Sequence, residues 1–125
     1  MKLTTDQFNR HVKIIRTKFW MNKHETFDLK DKNDFYCSQH VAERIVERGL
    51  EKDTDFIVGI VKWFIHNVFY KTTYCNRSYQ VSIKNLKCCF LVKESHLTSK
   101  REVILTTVFE SDKDYDVDEI IKLKF

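Results

Sequence analysis

The residues with the clearest capacity for chemistry are His40 and Arg44, which stand one turn apart in a predicted helix. A histidine titrates near neutral pH and can act as a general base or acid. An arginine can hold a phosphate through two parallel hydrogen bonds and stabilise the charge that develops on it. Together they are the minimum apparatus for metal-free RNA cleavage, in which the ribose 2′-hydroxyl attacks its own phosphate. Arg48 is predicted to support the phosphate contact.

The same spacing has a structural interpretation. Glu43, Arg44, Glu47 and Arg48 alternate in sign along one side of the helix, so they can form ion pairs on an ordinary solvated face. Spacing alone favours this interpretation over a catalytic one.

The helix that carries these residues is predicted over about 38–49. Ser38 is a good N-cap residue and Gly49 a good residue for the position after the C-cap. The apolar side chains that recur at helical spacing form the buried side: Val41, Ala42, Ile45 and Val46. His40 and Arg44 therefore fall on the other side.

A first helix is predicted over about 4–20. Thr4 and Gln7 have the spacing of a capping box. An apolar stripe follows at helical spacing, formed by Phe8, Val12, Ile15 and Phe19. The opposite side is basic, with Arg10, Lys13 and Arg16 as candidate phosphate-binding residues or as merely solvated charges.

The remaining chain predicts a third, largely buried helix over about 53–68 and a sheet over about 78–109. Three strands, at 78–84, 86–93 and 102–109, form an antiparallel meander because short links join them. Residues 23–36 are predicted to be a loop, 94–101 a polar connection, and 110–125 an acidic tail, within which 116–124 has weak helical character. The fold class is α+β, a single domain over 1–125 with the first two helices packed on one face of the sheet.

The charge is unevenly divided along the chain. Residues 1–108 carry 19 Lys and Arg against 12 Asp and Glu, whereas residues 109–125 carry 3 against 6. A basic body attracts phosphates through a long-range field that salt screens. The composition is therefore compatible with a nucleic-acid partner, and the acidic tail with a protein-docking element. A lysine-rich surface also serves solubility alone.

Several classes of site are not indicated. The chain has two glycines and no Gly-rich phosphate loop, nucleophile elbow or zinc-binding HExxH helix. The four cysteines include no CxxC pair, which favours reduced thiols, no metal site and no cofactor. No apolar run approaches the roughly 18 residues of a membrane span, and the first residues have no apolar signal core. We therefore expect a cytoplasmic protein.

The segment from Tyr36 to Leu50, which opens YCSQHVAER, resembles the motif of the RegB-type endoribonucleases of T-even bacteriophages. In that family the helix opens with Tyr-Ser-Gln-His and has Asp-Arg where this chain has Glu43-Arg44. The resemblance implies a RelE/YoeB-like fold, cleavage of mRNA, free or on the ribosome, in the host cytoplasm, and catalytic roles for His40 and Arg44. The family's second catalytic histidine falls on Ile60, which is a departure.

The departure leaves two functions open. The first is an endoribonuclease in which another residue replaces the second histidine; His66, Thr106 and Thr107 are the candidate auxiliary residues. The second is a catalytically inactive member of the same fold that binds RNA or a host protein. An inhibitor built on this scaffold is a third alternative.

Overall fold

The apolar stripes of the sequence become the buried sides of the helices. The computed structural model describes residues 3–96 and 99–124, so two positions of the predicted polar connection, 97 and 98, lie outside the described residues. Helix α1 (Thr5–Arg16) begins at the predicted capping box of Thr4 and Gln7 and continues as a π-helical turn, Thr17–Met21. Its predicted stripe is buried at Val12, Ile15 and Phe19, with Phe8 half-buried.

Two further long helices match their predicted positions. Helix α3 (Gln39–Glu47) follows Ser38, which is at the N-cap but makes no capping hydrogen bond with its side chain. It ends at Glu47, and Gly49 follows the C-cap residue Arg48 with a φ of 68°, the left-handed conformation that glycine adopts most readily. Helix α4 (Thr54–Phe64) follows a 3₁₀ turn, Glu51–Asp53, and continues as a π-helical turn, Ile65–Phe69.

The sheet has five strands and is mixed. The strands are β1 (Phe35–Cys37), β2 (Arg77–Ile83), β3 (Leu86–Glu94), β4 (Arg101–Glu110) and β5 (Glu119–Leu123), in the order β1-β4-β3-β2-β5. The central β2-β3-β4 meander is antiparallel, as predicted. The two edge strands are parallel to their neighbours, β1 to β4 and β5 to β2. The prediction of a wholly antiparallel sheet is therefore wrong at both edges.

Both edge strands lie in segments for which the sequence predicted something else. Residues 23–36 were predicted to be a loop, but they contain a short helix, α2 (Lys23–Thr26), and the start of β1. The acidic tail was predicted to have weak helical character, but its residues 119–123 form β5. Each edge strand is short, and the parallel partner that stabilises it lies far away in the chain, so local periodicity gives little signal.

The helices cover one face of the sheet and enclose one core. Phe64 of α4 stacks on Phe90 of β3 with ring centroids 4.2 Å apart and meets Tyr79 of β2 edge to face. Helix α3 packs on β4, while α1 packs against α3 and its π-helical turn contacts β1. The fold is thus α+β, with α3 between α1 and the β4 side of the sheet. Within the described residues, none of the helices has the length and apolar character needed to cross a bilayer.

Candidate functional site

The exposed side of α3 carries His40 and Arg44. The His40 side chain is 64% exposed, and its Nδ1 lies 3.5 Å from a carboxylate oxygen of Glu43. Arg44 Nη1 donates to Glu47 Oε2 at 2.9 Å. The two residues predicted to be catalytic therefore share one accessible face, and each has a carboxylate partner. Exposed ion pairs of this kind contribute little to stability, so a ligand can compete for both side chains.

The orientation of α3 follows from its periodicity. Successive residues are ~100° apart around the helix axis, so His40 lies opposite the buried stripe. Arg48 lies about a quarter-turn from the centre of the stripe, on the side toward the sheet. Gln39, on the other flank, borders a groove shared with α1. The helix thus presents its polar residues in an arc that runs from α1 to β4.

Arg48 crosses from α3 to β4. Its Nη1 donates to the Val108 carbonyl at 2.6 Å and to Thr107 Oγ1 at 3.1 Å. Strand β1 pairs with β4 only at residues 103–105, so Arg48 satisfies a carbonyl beyond that pairing. Nη1 has two N–H groups for these two acceptors, which leaves Nη2 and Nε with three donors for a ligand.

A pocket opens beside this contact. Its lining combines a cation, a carboxylate, hydroxyls and two aromatic rings from three parts of the chain: Arg48, Thr107, Phe109, Glu110 and Tyr115. The Phe109 and Tyr115 rings lie 5.6 Å apart at an angle of 50°. Along the axis of α3, the α-carbon of Arg48 lies ~6 Å from that of Arg44 and ~12 Å from that of His40.

The basic side of α1 borders the other flank of α3. Arg10 and Lys13 are exposed, and the Arg16 guanidinium lies 4.6 Å from the centroid of the Trp20 ring. Arg16 Nε is buried and has no hydrogen-bond partner among the described residues. A groove lined by Lys13, Arg16 and Trp20, together with Asn9, Val12, Met21 and Gln39, separates the two helices. Two of the three predicted phosphate-binding residues, Lys13 and Arg16, thus border α3, whereas Arg10 does not line this groove.

The three candidate auxiliary residues lie in different parts of the structure, and one of them contacts Arg48. Thr107 joins the Arg48 contact. Thr106 is the bulge residue of β4, and its hydroxyl donates to the Cys89 carbonyl at 3.0 Å. His66 lies in the π-helical turn, where Nε2 is 2.8 Å from the Phe27 carbonyl and the ring meets Tyr70. Thr106 and His66 therefore have local structural contacts of their own.

Ile60, the position on which the resemblance places a second catalytic histidine, lies in the core. Its side chain is 1% exposed and belongs to the α4 stripe in the core. A histidine at this position would be removed from solvent and from α3's polar face. A side chain at this position is therefore not part of the exposed face that carries His40 and Arg44.

Sequence reasoning missed three residues of the pocket, Phe109, Glu110 and Tyr115. Phe109 was assigned to the last predicted strand as an ordinary residue, and the other two to a tail. The one signal available was Tyr115 itself, an aromatic residue inside an acidic segment. Its position depends on how residues 111–118 fold back over the sheet, which no local pattern specifies.

The cysteines and carboxylates do not form a metal site in the described residues: no group of three or more His, Cys, Asp or Glu side chains has the arrangement to hold an ion. All four cysteines are free thiols. Burial raises the pKa of the Cys37 thiol to about 12 and that of Cys89 to about 11. Thiolate chemistry at neutral pH is therefore suppressed at these two residues.

Comparison with known proteins adds no family to this description. The chain matches no protein-family model, no curated protein and no solved structure at a significant level.

Proposed function

We propose that this chain is a metal-independent endoribonuclease of RelE/RegB-like architecture that acts on mRNA. The observation that carries the proposal is the meeting of Arg48 and Thr107 in one pocket, one turn from Arg44. Both residues were predicted as site residues from sequence, although 59 positions separate them. Convergence of functional side chains from separate elements supports a site more strongly than a pattern on one helix.

The proposed RNA path crosses the exposed side of α3. The cations of α1 attract the strand, His40 and Arg44 act on the reacting phosphate, and Arg48 holds the next one. The rings of Phe109 and Tyr115 offer a surface on which a base can stack, and such stacking is worth about 1–3 kcal/mol per base. The strand is single because a base that is paired in a duplex is not free to stack on these rings.

In the proposed reaction, His40 removes the proton of the 2′-hydroxyl as that oxygen attacks phosphorus. The bond from phosphorus to the 5′-oxygen breaks and that oxygen takes a proton from water, which leaves a 2′,3′-cyclic phosphate and a 5′-hydroxyl, while His40 returns its proton to the solvent. Glu43 contacts Nδ1 of His40, so Nε2 faces away from it and is the atom that takes the proton. Arg44 releases Glu47 and stabilises the charge on the non-bridging oxygens.

The test is incubation of the purified chain with mRNA, with and without ribosomes, in excess EDTA, followed by mapping of the new ends. His40→Ala should abolish cleavage, because proton-transfer roles contribute about 10²–10⁴-fold in rate. It should leave RNA binding and the melting temperature nearly unchanged. His24→Ala is the matched control, since His24 is also exposed on a helix but lies on α2. If Glu110→Gln abolishes cleavage and His40→Ala does not, the proton transfer belongs to the pocket.

A second candidate is a non-catalytic RNA-binding module. It is favoured by the basic side of α1, where Arg16 Nε has no partner and the guanidinium lies on Trp20. Here Lys13→Glu with Arg16→Glu should weaken binding of an RNA oligonucleotide and flatten its salt dependence. Lys71→Glu with Lys84→Glu, the same charge change elsewhere, is the control. Binding that depends on α1, with no cleavage of any mRNA by the wild-type chain, would establish this candidate instead.

A further inference from the structure

The outer face of the sheet, opposite the helices, is covered by residues 111–118, which we call the acidic strap. Asp114 Oδ1 accepts from Lys87 Nζ at 2.7 Å and from Gln80 Nε2 at 3.1 Å. The Tyr115 amide donates to Gln80 Oε1 at 2.7 Å. Asp118 accepts from the Ser78 amide at 2.8 Å and from its hydroxyl at 3.0 Å. The strap is therefore attached to β2 and β3 mainly through polar contacts.

Lys87 is the unusual member of this arrangement. Lysine is rarely buried unless it is paired, and the Lys87 side chain is only 5% exposed, whereas that of Asp114 is 38% exposed. Ser82 lies directly across from Lys87 in the β2–β3 register and is also buried, as is Gln80. A cation flanked by an amide and a hydroxyl donor forms an anion-binding site, and Asp114 is the anion that occupies it in this structure.

This anion site adjoins the pocket beside Arg48. Lys87 lies directly across from Phe109 in the β3–β4 register, and Phe109 lines that pocket. Tyr115, one residue after Asp114, lines the pocket as well. Movement of the strap would therefore change the pocket and uncover Lys87 in the same event.

We propose that Lys87, with Gln80 and Ser82, is a phosphate-binding site for RNA, and that Asp114 occupies it until an RNA phosphodiester displaces the strap. This inference rests on the proposed function, because it extends the same RNA path from the Arg48 pocket onto the outer face of the sheet. The exchange is chemically balanced. One singly charged oxyanion replaces another at Lys87, and the released Asp114 and Asp118 regain their hydration.

The strap's own contacts make it displaceable. The hydrogen bonds from Lys87 and then Gln80 hold the pKa of Asp114 below its usual value, so this carboxylate is charged at neutral pH and competes directly with phosphate. Both strap carboxylates are exposed to solvent, where salt and water weaken their attachment. An RNA strand already held at Arg48 presents its next phosphate at high effective concentration.

The test compares Asp114→Asn with Asp112→Asn. Both changes remove one negative charge from the strap, but Asp112 is exposed and has no hydrogen bond or ion pair described. Affinity for a short unstructured oligoribonucleotide is measured by fluorescence anisotropy in EDTA at fixed salt. Asp114→Asn should bind about tenfold more tightly, which is the worth of one charge-assisted hydrogen bond. Asp112→Asn should gain less than about twofold. Equal gains in the two variants would overturn the proposal.

Two further measurements assign the gain to Lys87. Adding Lys87→Met to Asp114→Asn removes both charged members of the Lys87–Asp114 pair and should return affinity to the wild-type value or below. In the wild-type chain, hydrogen exchange at the amides of Tyr115 and Asp118 should accelerate when the oligoribonucleotide is added, because those amides lose Gln80 and Ser78 as acceptors. Unchanged or slower exchange at both amides would contradict the proposal even if Asp114→Asn does not fold.

The readouts separate this inference from the proposed function. Binding is measured without cleavage, so a wild-type chain that cuts no mRNA can still show the gain on Asp114→Asn. The proposed nuclease would then be wrong and the strap proposal supported. A chain that cuts mRNA but whose Asp114→Asn variant gains no affinity over Asp112→Asn would show the reverse. Absence of RNA binding by every variant would overturn both.

Discussion

Replacement of Arg48 by lysine should separate its structural contact with β4 from its proposed contact with an RNA phosphate. Lysine keeps the charge, but its single ammonium group cannot hold β4 and a phosphate in the geometry that a guanidinium allows. In the wild-type chain Nη1 contacts the Val108 carbonyl and Thr107 Oγ1, while Nη2 and Nε keep donors for a ligand. We expect Arg48→Lys to lose most of its cleavage activity and only part of its stability.

The magnitudes follow from these contacts. A hydrogen bond from a charged donor contributes about 1.5–3 kcal/mol, and the exposed contact with Thr107 less than about 1 kcal/mol. Arg48→Ala should therefore lower the free energy of unfolding by about 2–3 kcal/mol, and Arg48→Lys by about 1–2 kcal/mol. Loss of the phosphate contact should lower kcat/KM by about 10²-fold, which corresponds to ~2.7 kcal/mol of transition-state stabilisation.

Urea denaturation and initial rates on a labelled RNA measure the two effects on the same samples. Arg44→Lys is the comparison, because Arg44 contacts only an exposed glutamate, so that variant should lose activity with almost no change in stability. Full cleavage by Arg48→Lys at reduced stability would refute the reasoning. Arg48 would then serve only to satisfy the carbonyl of β4, and the pocket would lose its place in the proposed site.

Three other outcomes are expected. Ile60→His should lower the free energy of unfolding, measured by urea titration, by about 3–5 kcal/mol and should not raise cleavage, because it replaces a core side chain with a polar one. A stable and more active variant would contradict the burial of this position. The hydrogen bond from Lys87 lowers the pKa of Asp114, and that from the Ser78 amide lowers the pKa of Asp118, so these carboxylates stabilise the strap above the usual carboxyl pKa and cease to do so as pH falls through the lowered values. Hydrogen exchange of the strap amides, corrected for its intrinsic pH dependence, should therefore rise in that acidic range. A flat profile would show that the two carboxylates do not hold the strap. In the native chain, Ellman's reagent should titrate one thiol rapidly, the exposed Cys75, and the three buried cysteines only after unfolding. Two or more fast thiols would contradict the packing of β1 and β3.

Much of the fold could be predicted because its longest helices and its central hairpin have a local sequence pattern, either apolar residues at regular spacing or turn residues. The stripe of Val12, Ile15 and Phe19 specifies α1, and the turn at Lys84 and Asn85 specifies the hairpin of β2 and β3. Lys84 has a φ of 53°, as a two-residue hairpin turn requires. In each case the residues that determine the element lie within a few positions of each other, so pattern and structure agree.

The edges of the sheet could not be predicted for the opposite reason. Strand β1 has three residues and gains its stability from parallel pairing with β4, about 68 positions later in the chain. Strand β5 pairs with β2, 40 positions earlier. A parallel pair leaves no turn signal between its members. Long-range packing is also the reason that Tyr115 could not be predicted to line the candidate pocket. Helix α3 could be placed from its motif, but the position of Tyr115 depends on the return of the chain across the outer face of the sheet.

The fold places the basic and the acidic parts of the chain on different faces of the protein. The acidic strap lies against the outer face of the sheet, whereas the basic side of α1 lies on the helical face, where its cations have no described acidic partner at Arg10, Lys13 or Arg16. Within the described residues the two charges thus occupy opposite faces, and α3 with the β4 edge lies between them. A polyanion approaching this surface is attracted to α1 and repelled by the strap, so it is oriented across α3 before it makes any specific contact. In the proposed RNA complex, displacement of the strap at Lys87 removes the repulsive half of that field. We therefore expect the strap, and not the helix motif alone, to determine how far an RNA strand extends past Arg48.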